Sequence, residues 1–446
     1  MTLEEENKLL RDIILRLEKR ILELEAQVRQ LSISKNSRNS SKPPSSDMFP
    51  PKRNQSLRES NGKKTGGQPG HKGNTLEMSS FADEVIKLFP EYCNHCGSGL
   101  SDAVEEYQSK RQVVDIPPTT PIVTEYRKYL KICPNCGNHQ ETNFPQGVTN
   151  NIQYGPGLEA AIAYFSVYQY LPYQRLALCL KHLFNLDISQ GSINNILNRM
   201  ALKAMPVYKH IKAKVSESRY IGSDETSVKV NGDKCWIWVW QTLAYTYISS
   251  HKSRGSVAIA SEFPDGLPNA ILSTDRWAAQ LKTPALAHQF CTAHLLRDLK
   301  YLQELENNQW SIKMTQLIKD ALHLKSKCSQ YSYIDTQAMQ IEQRFELLLQ
   351  EHIPKETSPK SLILQKAFVK HRNSIFVFLY NAETLPDNNS SERAIRNVKV
   401  KQKVSGQFKT GQQIFCVLRS LIDTCIKQSV DVMNALTQIA NYQTAE

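Results

Sequence analysis

Arg219-Tyr-Ile-Gly-Ser-Asp-Glu-Thr-Ser-Val-Lys-Val230 has the composition of a β-strand with acids planted in its middle. Ile221, Val228 and Val230 are strand formers, and the Asn231-Gly232 that follows is the dipeptide favoured in a two-residue type I′ hairpin turn. Cys235-Trp-Ile-Trp-Val-Trp240 then reads as the partner strand. An Asp or Glu inside a sheet costs strand propensity and desolvation. A bound divalent cation offsets that cost. Side chains alternate along a strand, so Asp224 and Glu225 point to opposite faces and only one of them addresses a given ion. Asp224 is the expected ligand and Glu225 the alternative.

Downstream, Ala244 to Ser250 completes a three-strand meander, and Ala270-Ile-Leu-Ser-Thr-Asp275 is a short apolar run ending in an acid. A strand-helix unit follows over Ala287 to Leu302. Gln303 to Leu385 reads mostly as helices, with helical apolar spacing over Leu317 to Leu324 and Ile341 to Leu349. Pro386-Asp-Asn-Asn-Ser-Ser-Glu-Arg-Ala-Ile-Arg396 has the Asn and Ser residues of a helix start. A meander with an acid on its first strand, a second acid after the fourth strand and a third on a later helix describes a ribonuclease-H-like mixed α/β core. Asp224, Asp275 and Glu392 converging there would hold two Mg²⁺ (or Mn²⁺) ions about 4 Å apart, for phosphodiester chemistry. Each acid also has a plainer reading: Glu392, three residues after Asn389, has the spacing of a capping-box acid, and Asp275 that of a strand-end turn residue. Beside the third acid, Arg393, Arg396, Lys399, Lys401, Lys403 and Lys409 form a run free of acids. It is expected to contact phosphates, the plainer reading being a solvated basic surface. Cys291 and His294 read as packing or site-shaping groups, and Ile414 to Ala440 as a closing helical segment.

Upstream, three helices are expected within 154–218: Gly157 to Tyr170, Tyr173 to Phe184, and Ile193 to Lys203 with Ser189 as N-cap. The last two resemble a helix-turn-helix, although many helical hairpins bind nothing. Cys93-Asn-His-Cys96 and Cys133-Pro-Asn-Cys136 are each followed by a glycine, and four thiolates suit one tetrahedral structural Zn²⁺. Strand-like text between them, Val113 to Ile116 and Ile122 to Tyr126, predicts a ribbon that brings the pairs together. From Lys35 to Lys72 nine Lys or Arg stand against Asp47 and Glu59, a net of +7 (9 − 2). This polar, Gly- and Ser-rich segment cannot bury enough surface to fold alone. Lys35, Arg38 and Lys42 are its expected phosphate contacts, unless it is a solubilising linker. Leu3, Leu10, Leu17, Leu24 and Leu31, with Asn7, Ile14, Ile21 and Val28, keep a heptad register with Leu at d and β-branched residues at a. That pairing favours a parallel homodimer, against an amphipathic helix packed on its own globule.

The composition fits this layout. At 446 residues the chain is long enough for several domains, and a net charge of +12 points to a polyanionic partner, nucleic acid above all. No run approaches a membrane span. The start, Met1-Thr-Leu-Glu-Glu-Glu6, lacks the regions of a signal peptide, so a cytoplasmic location is expected. In reducing surroundings the Cys-x-x-Cys pairs argue metal rather than disulfide.

Asp224-Glu-Thr226 with its hairpin, Thr274-Asp-Arg-Trp-Ala-Ala279, Cys291-Thr-Ala-His-Leu-Leu-Arg297 and Asp387-Asn-Asn-Ser-Ser-Glu-Arg393 together resemble the motif set of the insertion-sequence-66 family of bacterial DDE transposases. The heptads, the basic arm, the Gly66-Gly-Gln-Pro-Gly-His71 block and the paired Cys-x-x-Cys resemble that family's layout over nearly the whole length. The resemblance implies a catalytic triad on Asp224, Asp275 and Glu392, an insertion between the second and third acids, and small accessory proteins of the same element as partners. One departure is that many members carry Gly where Arg276 stands.

The expected organisation is multidomain α+β: a coiled coil over 1–33, a basic arm over 34–80, a zinc-ribbon-like module over 81–150, and a helix-turn-helix-like region over 151–218. A catalytic core over 219–411 with a helical insertion at 303–385 follows, and a helical segment over 412–446. The expected activity is DNA transposition: metal-dependent cleavage of element ends, then joining of the freed 3′-hydroxyl to target DNA. The rival is a non-catalytic, zinc-containing, zipper-dimerised DNA-binding protein.

Overall fold

The computed structural model describes residues 3–32, 36, 39, 70, 76–117, 119–327, 334–409 and 411–442. The heptad segment forms helix α1 (Leu3–Ser32). Its seam is open in the single chain, with Leu10, Ile14, Leu17 and Val28 all more than half exposed. Residues 76–152 hold one small antiparallel hairpin, β1 (Leu130–Ile132) with β2 (His139–Glu141). The ribbon strands expected at 113–116 and 122–126 do not form. Val113, Ile116, Ile122 and Val123 are at least 85% exposed. Strand-forming residues without an apolar surface to bury against do not assemble a sheet.

From residue 156 the chain is densely packed. Helix α2 (Pro156–Ala163) runs into a π-helical turn at Tyr164–Tyr168, followed by α3 (Tyr173–Phe184) and α4 (Gln190–Ser216). Ser189 caps α4, its Oγ accepting from the Ser192 amide at 3.0 Å. The helix runs past the expected end at Lys203 and through Pro206. A proline inside a helix costs about 3 kcal/mol. Here the buried stripe Met200, Ala204, Tyr208, Ile211 and Val215 keeps helical spacing beyond it and offsets that cost.

The sheet begins with β3 (Tyr220–Val230), β4 (Asp233–Gln241) and β5 (Thr246–His251). Val230 pairs with Asp233, and Asn231 and Gly232 take φ of 49° and 90°, as the two-residue turn requires. After α5 (Ser256–Glu262) come β6 (Leu267–Thr274), the short α6 (Ala278–Leu281) and β7 (Ala285–Phe290). The strand order is β5-β4-β3-β6-β7; β4 is antiparallel to both of its neighbours, β3 and β5, and β6 and β7 run parallel to β3.

Five helices follow: α7 (Thr292–Glu306), α8 (Gln309–Lys327), α9 (Ile334–Gln350), α10 (Pro359–Lys370) and α11 (Val377–Tyr380). They close on a hydrophobic core of their own, with Leu299, Trp310, Leu317, Phe345 and Phe368 at its centre. Helix α7 belongs to this core, which therefore takes in residues ahead of the 303 expected as the start of the helical insertion. The chain then returns to the sheet through α12 (Asn389–Ser405), α13 (Gln412–Lys427) and α14 (Val432–Asn441). Helix α13 covers the β5 edge: Ser420 Oγ accepts the Ile248 amide at 2.9 Å and Thr424 Oγ1 that of Thr246 at 3.1 Å. Those amides would otherwise be an open pairing edge.

One hydrophobic core joins Ile196 and Ile211 of α4, Ile221 and Trp238 of the sheet, Val398 of α12, Leu418 of α13 and Leu436 of α14. The boundaries expected at 218 and 411 therefore do not separate cores. The buried stripe of α4 is spent on the sheet and on α13, and the segment after 411 closes the same core.

Candidate functional site

Two neighbouring strands deliver two of the expected acids to one level. In the parallel pair β3–β6, Gly222 stands opposite Ser273, and each is followed two residues later by an acid, Asp224 and Asp275. Adjacent strands lie about 4.8 Å apart. The third acid arrives on the first turn of α12. A Cβ at Gly222 would lie 2.7 Å from Asn388 Oδ1 and from Ser391 Oγ, so only glycine allows this approach. Asn388 Nδ2 donates to the Ser223 carbonyl at 2.7 Å, and Gln241 Nε2 donates to Ser391 Oγ at 2.9 Å. Glu392 follows directly. Its carboxylate meets Arg297 Nη2 of α7 at 3.0 Å rather than an amide of its own first turn, so the capping-box reading is not realised.

The alternation along β3 separates the paired acids. Gly222 and Asp224 share the face on which α12 sits. Ser223 and Glu225 share the other, where Gln280 Nε2 of α6 lies 3.0 Å from Glu225 Oε2. The Arg254 guanidinium meets Glu225 Oε1 at 2.8 Å, and the Glu225 side chain is 1% exposed. Glu225 therefore has a directly bonded counterion, and Asp224 does not.

The electrostatics are those of a crowded anionic site. Burial, and then repulsion from Asp275, Glu225 and Glu392, holds the Asp224 carboxyl well above the usual carboxylate range. Burial raises Asp275 too, against the opposing pull of Arg254, the Trp277 amide and Arg276. Burial and Asp275 push Glu225 up to about 7, Arg254 working against them. Asp275 Oδ1 is buried with no hydrogen-bond partner. Burial, with Arg297 and Arg276 nearby, drives His294 down to about 3, so its Nε2, 3.6 Å from Glu392, belongs to a neutral ring. Arg276 stands at φ 71°, the left-handed region that favours glycine, and its guanidinium pairs with Asp298.

Among the described residues, no three His, Cys, Asp or Glu side chains are gathered tightly enough to ligate one ion as they stand. Asp224, Asp275 and Glu392 nevertheless fit a hard divalent cation in kind: all-oxygen donors, mutual repulsion without a cation, and an orphaned buried oxygen on Asp275.

The cysteine pairs form two matching knuckles. The Cys93 amide donates to the Ser98 carbonyl and the Gly97 amide to that of Cys93, both at 2.9 Å. Cys133, Asn138 and Gly137 repeat the pattern at 2.8 and 2.9 Å. Gly97 and Gly137 share φ values of 74° and 72°. The Ser98 hydroxyl lowers the Cys96 thiol, and the amides of Cys136 and Asn135 lower that of Cys133, as a thiolate ligand needs. The four sulfurs are not brought into one group.

Of the expected phosphate contacts, Lys35, Arg38 and Lys42 lie outside the described residues. Arg393, Arg396 and Lys403 are exposed on α12. Lys399 and Lys401 turn inward, their ammonium groups donating to the Ser227 carbonyl at 2.7 Å and the Ser166 carbonyl at 3.1 Å. Burial lowers Lys401 to about 8. Cys291 has a shaping part: its Sγ accepts the Asn388 amide at 3.2 Å, linking α7 to the cap of α12. Gly222, Gln241, Arg254 and Gln280 escaped the sequence reading because nothing in a single sequence pairs residues so far apart.

Comparison with known families agrees with this layout. No curated protein matches the chain. A family of unknown function matches residues 2–77, and the zinc-finger binding domain of transposase IS66 matches residues 90–137, which supports zinc as a cofactor. The Transposase IS66 family matches residues 151–414, more than half of the chain and all the elements that carry the acids. The chain belongs to the IS66 family of transposases.

Proposed function

We propose that the chain is a DDE-type enzyme with a ribonuclease-H-like core, which cleaves the ends of its mobile element to free a 3′-hydroxyl and joins that hydroxyl to target DNA. Asp224, Asp275 and Glu392 are the catalytic carboxylates. The observation that supports the reading is the Gly222–Ser273 register, two residues before Asp224 and Asp275, together with the close approach to Gly222 of Asn388 and Ser391, which immediately precede Glu392.

The three carboxylates would hold two Mg²⁺ or Mn²⁺ ions. These supply, when bound, Lewis-acid stabilisation of the attacking and leaving phosphate-ester oxygens. Asp224 holds its position through the sheet register, and Asp275 follows directly on the end of β6. Arg297 and the neutral His294 orient Glu392. No Ser or Tyr nucleophile is required, so no covalent protein–DNA intermediate forms.

Cys93, Cys96, Cys133 and Cys136 hold one structural zinc by closing the two knuckles on each other. Arg393, Arg396 and Lys403 contact DNA phosphates, as does the basic arm through Lys35, Arg38 and Lys42. The open seam of α1 pairs with that of a second copy, so that two element ends meet in one complex. No helix among the described residues is long and apolar enough to cross a membrane.

The deciding experiment is Mg²⁺- or Mn²⁺-dependent cleavage and joining of element-end DNA by the wild type and by Asp224→Ala. The expected result is a loss of at least about a thousandfold in rate, with DNA binding retained. Normal cleavage by the variant removes the enzyme reading and leaves the zinc-containing DNA-binding protein.

A further inference from the structure

We infer that Arg254 is a positioning residue that locks the segment carrying Asp275 against the strand carrying Asp224; the inference rests on the catalytic reading above. Arg254 lies in the turn between β5 and α5 and belongs to neither acid-bearing strand. Its guanidinium carbon sits 3.7 Å from the centroid of the Trp277 ring and 4.9 Å from that of Trp236. The charged plane is therefore held by an indole from β4 and another from the segment just after Asp275. Arginine does this and lysine does not, because only the planar guanidinium stacks and bonds in fixed directions at once.

The same residue bonds outward in both directions. Through Nε and Nη2 it holds Glu225 Oε1, both at 2.8 Å, and Glu225 is the next residue after Asp224. Its backbone carbonyl accepts Trp277 Nε1 at 3.4 Å. Gln280 closes the figure: its Nε2 reaches Glu225 Oε2 at 3.0 Å and Ser223 Oγ at 3.4 Å. The loop Asp275–Trp277 is thus tied to β3 at two points on the face away from α12. Beyond Thr274, β6 has ended, and the sheet ladder does not fix Asp275 itself. Without the tie, the second acid hangs from a loop whose Arg276 is already in an unfavourable backbone region.

A different role for Arg254 needs excluding, since its side chain is 38% exposed. It could serve as a DNA phosphate contact, or simply as the counterion that makes burial of Glu225 tolerable. The test uses full-length, zinc-replete protein and Mn²⁺ as the probe, with binding followed by electron paramagnetic resonance alongside cleavage. Arg254→Met is expected to weaken Mn²⁺ binding by about tenfold to a hundredfold, the range for groups that orient metal ligands. Cleavage should recover in part at raised Mn²⁺. The salt dependence of DNA binding should be unchanged, whereas loss of a phosphate contact lowers its slope by about one. Adding Glu225→Gln to Arg254→Met removes the unpaired charge and should restore the melting temperature without restoring the Mn²⁺ curve. Arg254→Lys keeps the charge and serves where Arg254→Met fails to fold; its Mn²⁺ affinity should fall between the two.

A wild-type Mn²⁺ curve in either single variant overturns the inference. So does a double variant that binds Mn²⁺ like the wild type, or a reduced salt slope. Failure of the catalytic reading shows itself separately, as Asp224→Ala binding Mn²⁺ like the wild type.

Discussion

The body from residue 156 onward and the segment 76–152 are ordered by opposite means. In the body, Ile221, Trp238 and Leu418 share one core, and even the acids are braced by partners from distant elements. In the segment, Val104, Val113 and Ile122 are over 90% exposed, and the local order consists of two knuckles and a hairpin of two three-residue strands. Apolar burial organises the first, and it tolerates a costly cluster of carboxylates because a large core stands behind them. The second has no such reserve, and a metal must do what a core would.

The largest effect should come from breaking that difference directly. Stripping zinc, or substituting Cys133→Ser, should abolish the protection of amides over 90–137 from hydrogen exchange, since a structural zinc contributes on the order of 10 kcal/mol to such a module. The melting transition of the body should stay in place. A shift of the body's transition on zinc removal would mean that the two regions are coupled.

Next in size, Gly222→Ala tests whether the body's packing sets the site. Its new Cβ would meet Asn388 Oδ1 and Ser391 Oγ at 2.7 Å, and those atoms belong to a buried hydrogen-bonded cap. Overpacking of this kind costs about 1–3 kcal/mol. Because the displaced element carries Glu392, cleavage should fall by at least about tenfold, in keeping with the cost of misplacing a reacting group. Unchanged kinetics in the variant would show that α12 approaches the sheet less closely than described.

A smaller effect follows from the raised carboxyls. Asp224, Asp275 and Glu225 all hold protons more tightly in the folded state than in the unfolded chain, where such groups titrate near 4. Their contribution is fully present below about pH 4 and is lost as pH rises through the folded values, past about 7 for Glu225. Magnesium-free, zinc-replete protein should therefore lose stability from these groups between pH 5 and pH 8, and Mg²⁺ should restore it at pH 8. Asp224→Asn should flatten the dependence; thermal melting at both pH values reads it.

The smallest effect separates two lysines two residues apart. Lys403→Ala should lower the salt slope of DNA binding by about one. Lys401→Ala should leave the slope alone and lower stability, because its ammonium is tied to the Ser166 carbonyl.

What the sequence disclosed followed its local signals. Asn231-Gly232 announced its hairpin, Ser189 its cap, and the alternation at Asp224 and Glu225 separated the two acids onto two faces. Long-range matters stayed hidden. Nothing near Arg254 in the sequence points to Glu225, and Lys399 and Lys401 look like any exposed basic run until Ser227 and Ser166 fold against them. The ribbon expected around Val113 and Ile122 failed because strand propensity is a statement about fitting a half-buried surface, and there is none.

The helical excursion between the second and third acids leaves and returns at one spot. The Thr292 amide and hydroxyl both bond the Pro386 carbonyl, at 3.0 and 2.9 Å, although 94 residues separate them. A detour whose two ends are fastened together transmits little from its far side to what lies outside it. Beyond α7, whose His294, Arg297 and Asp298 reach the site, helices can be lengthened, trimmed or exchanged at a cost in chain closure that grows only with the logarithm of length. The excursion is thus free to change its outer surface, and with it whatever that surface touches, while the distance from Asp275 to Glu392 stays where the clasp put it.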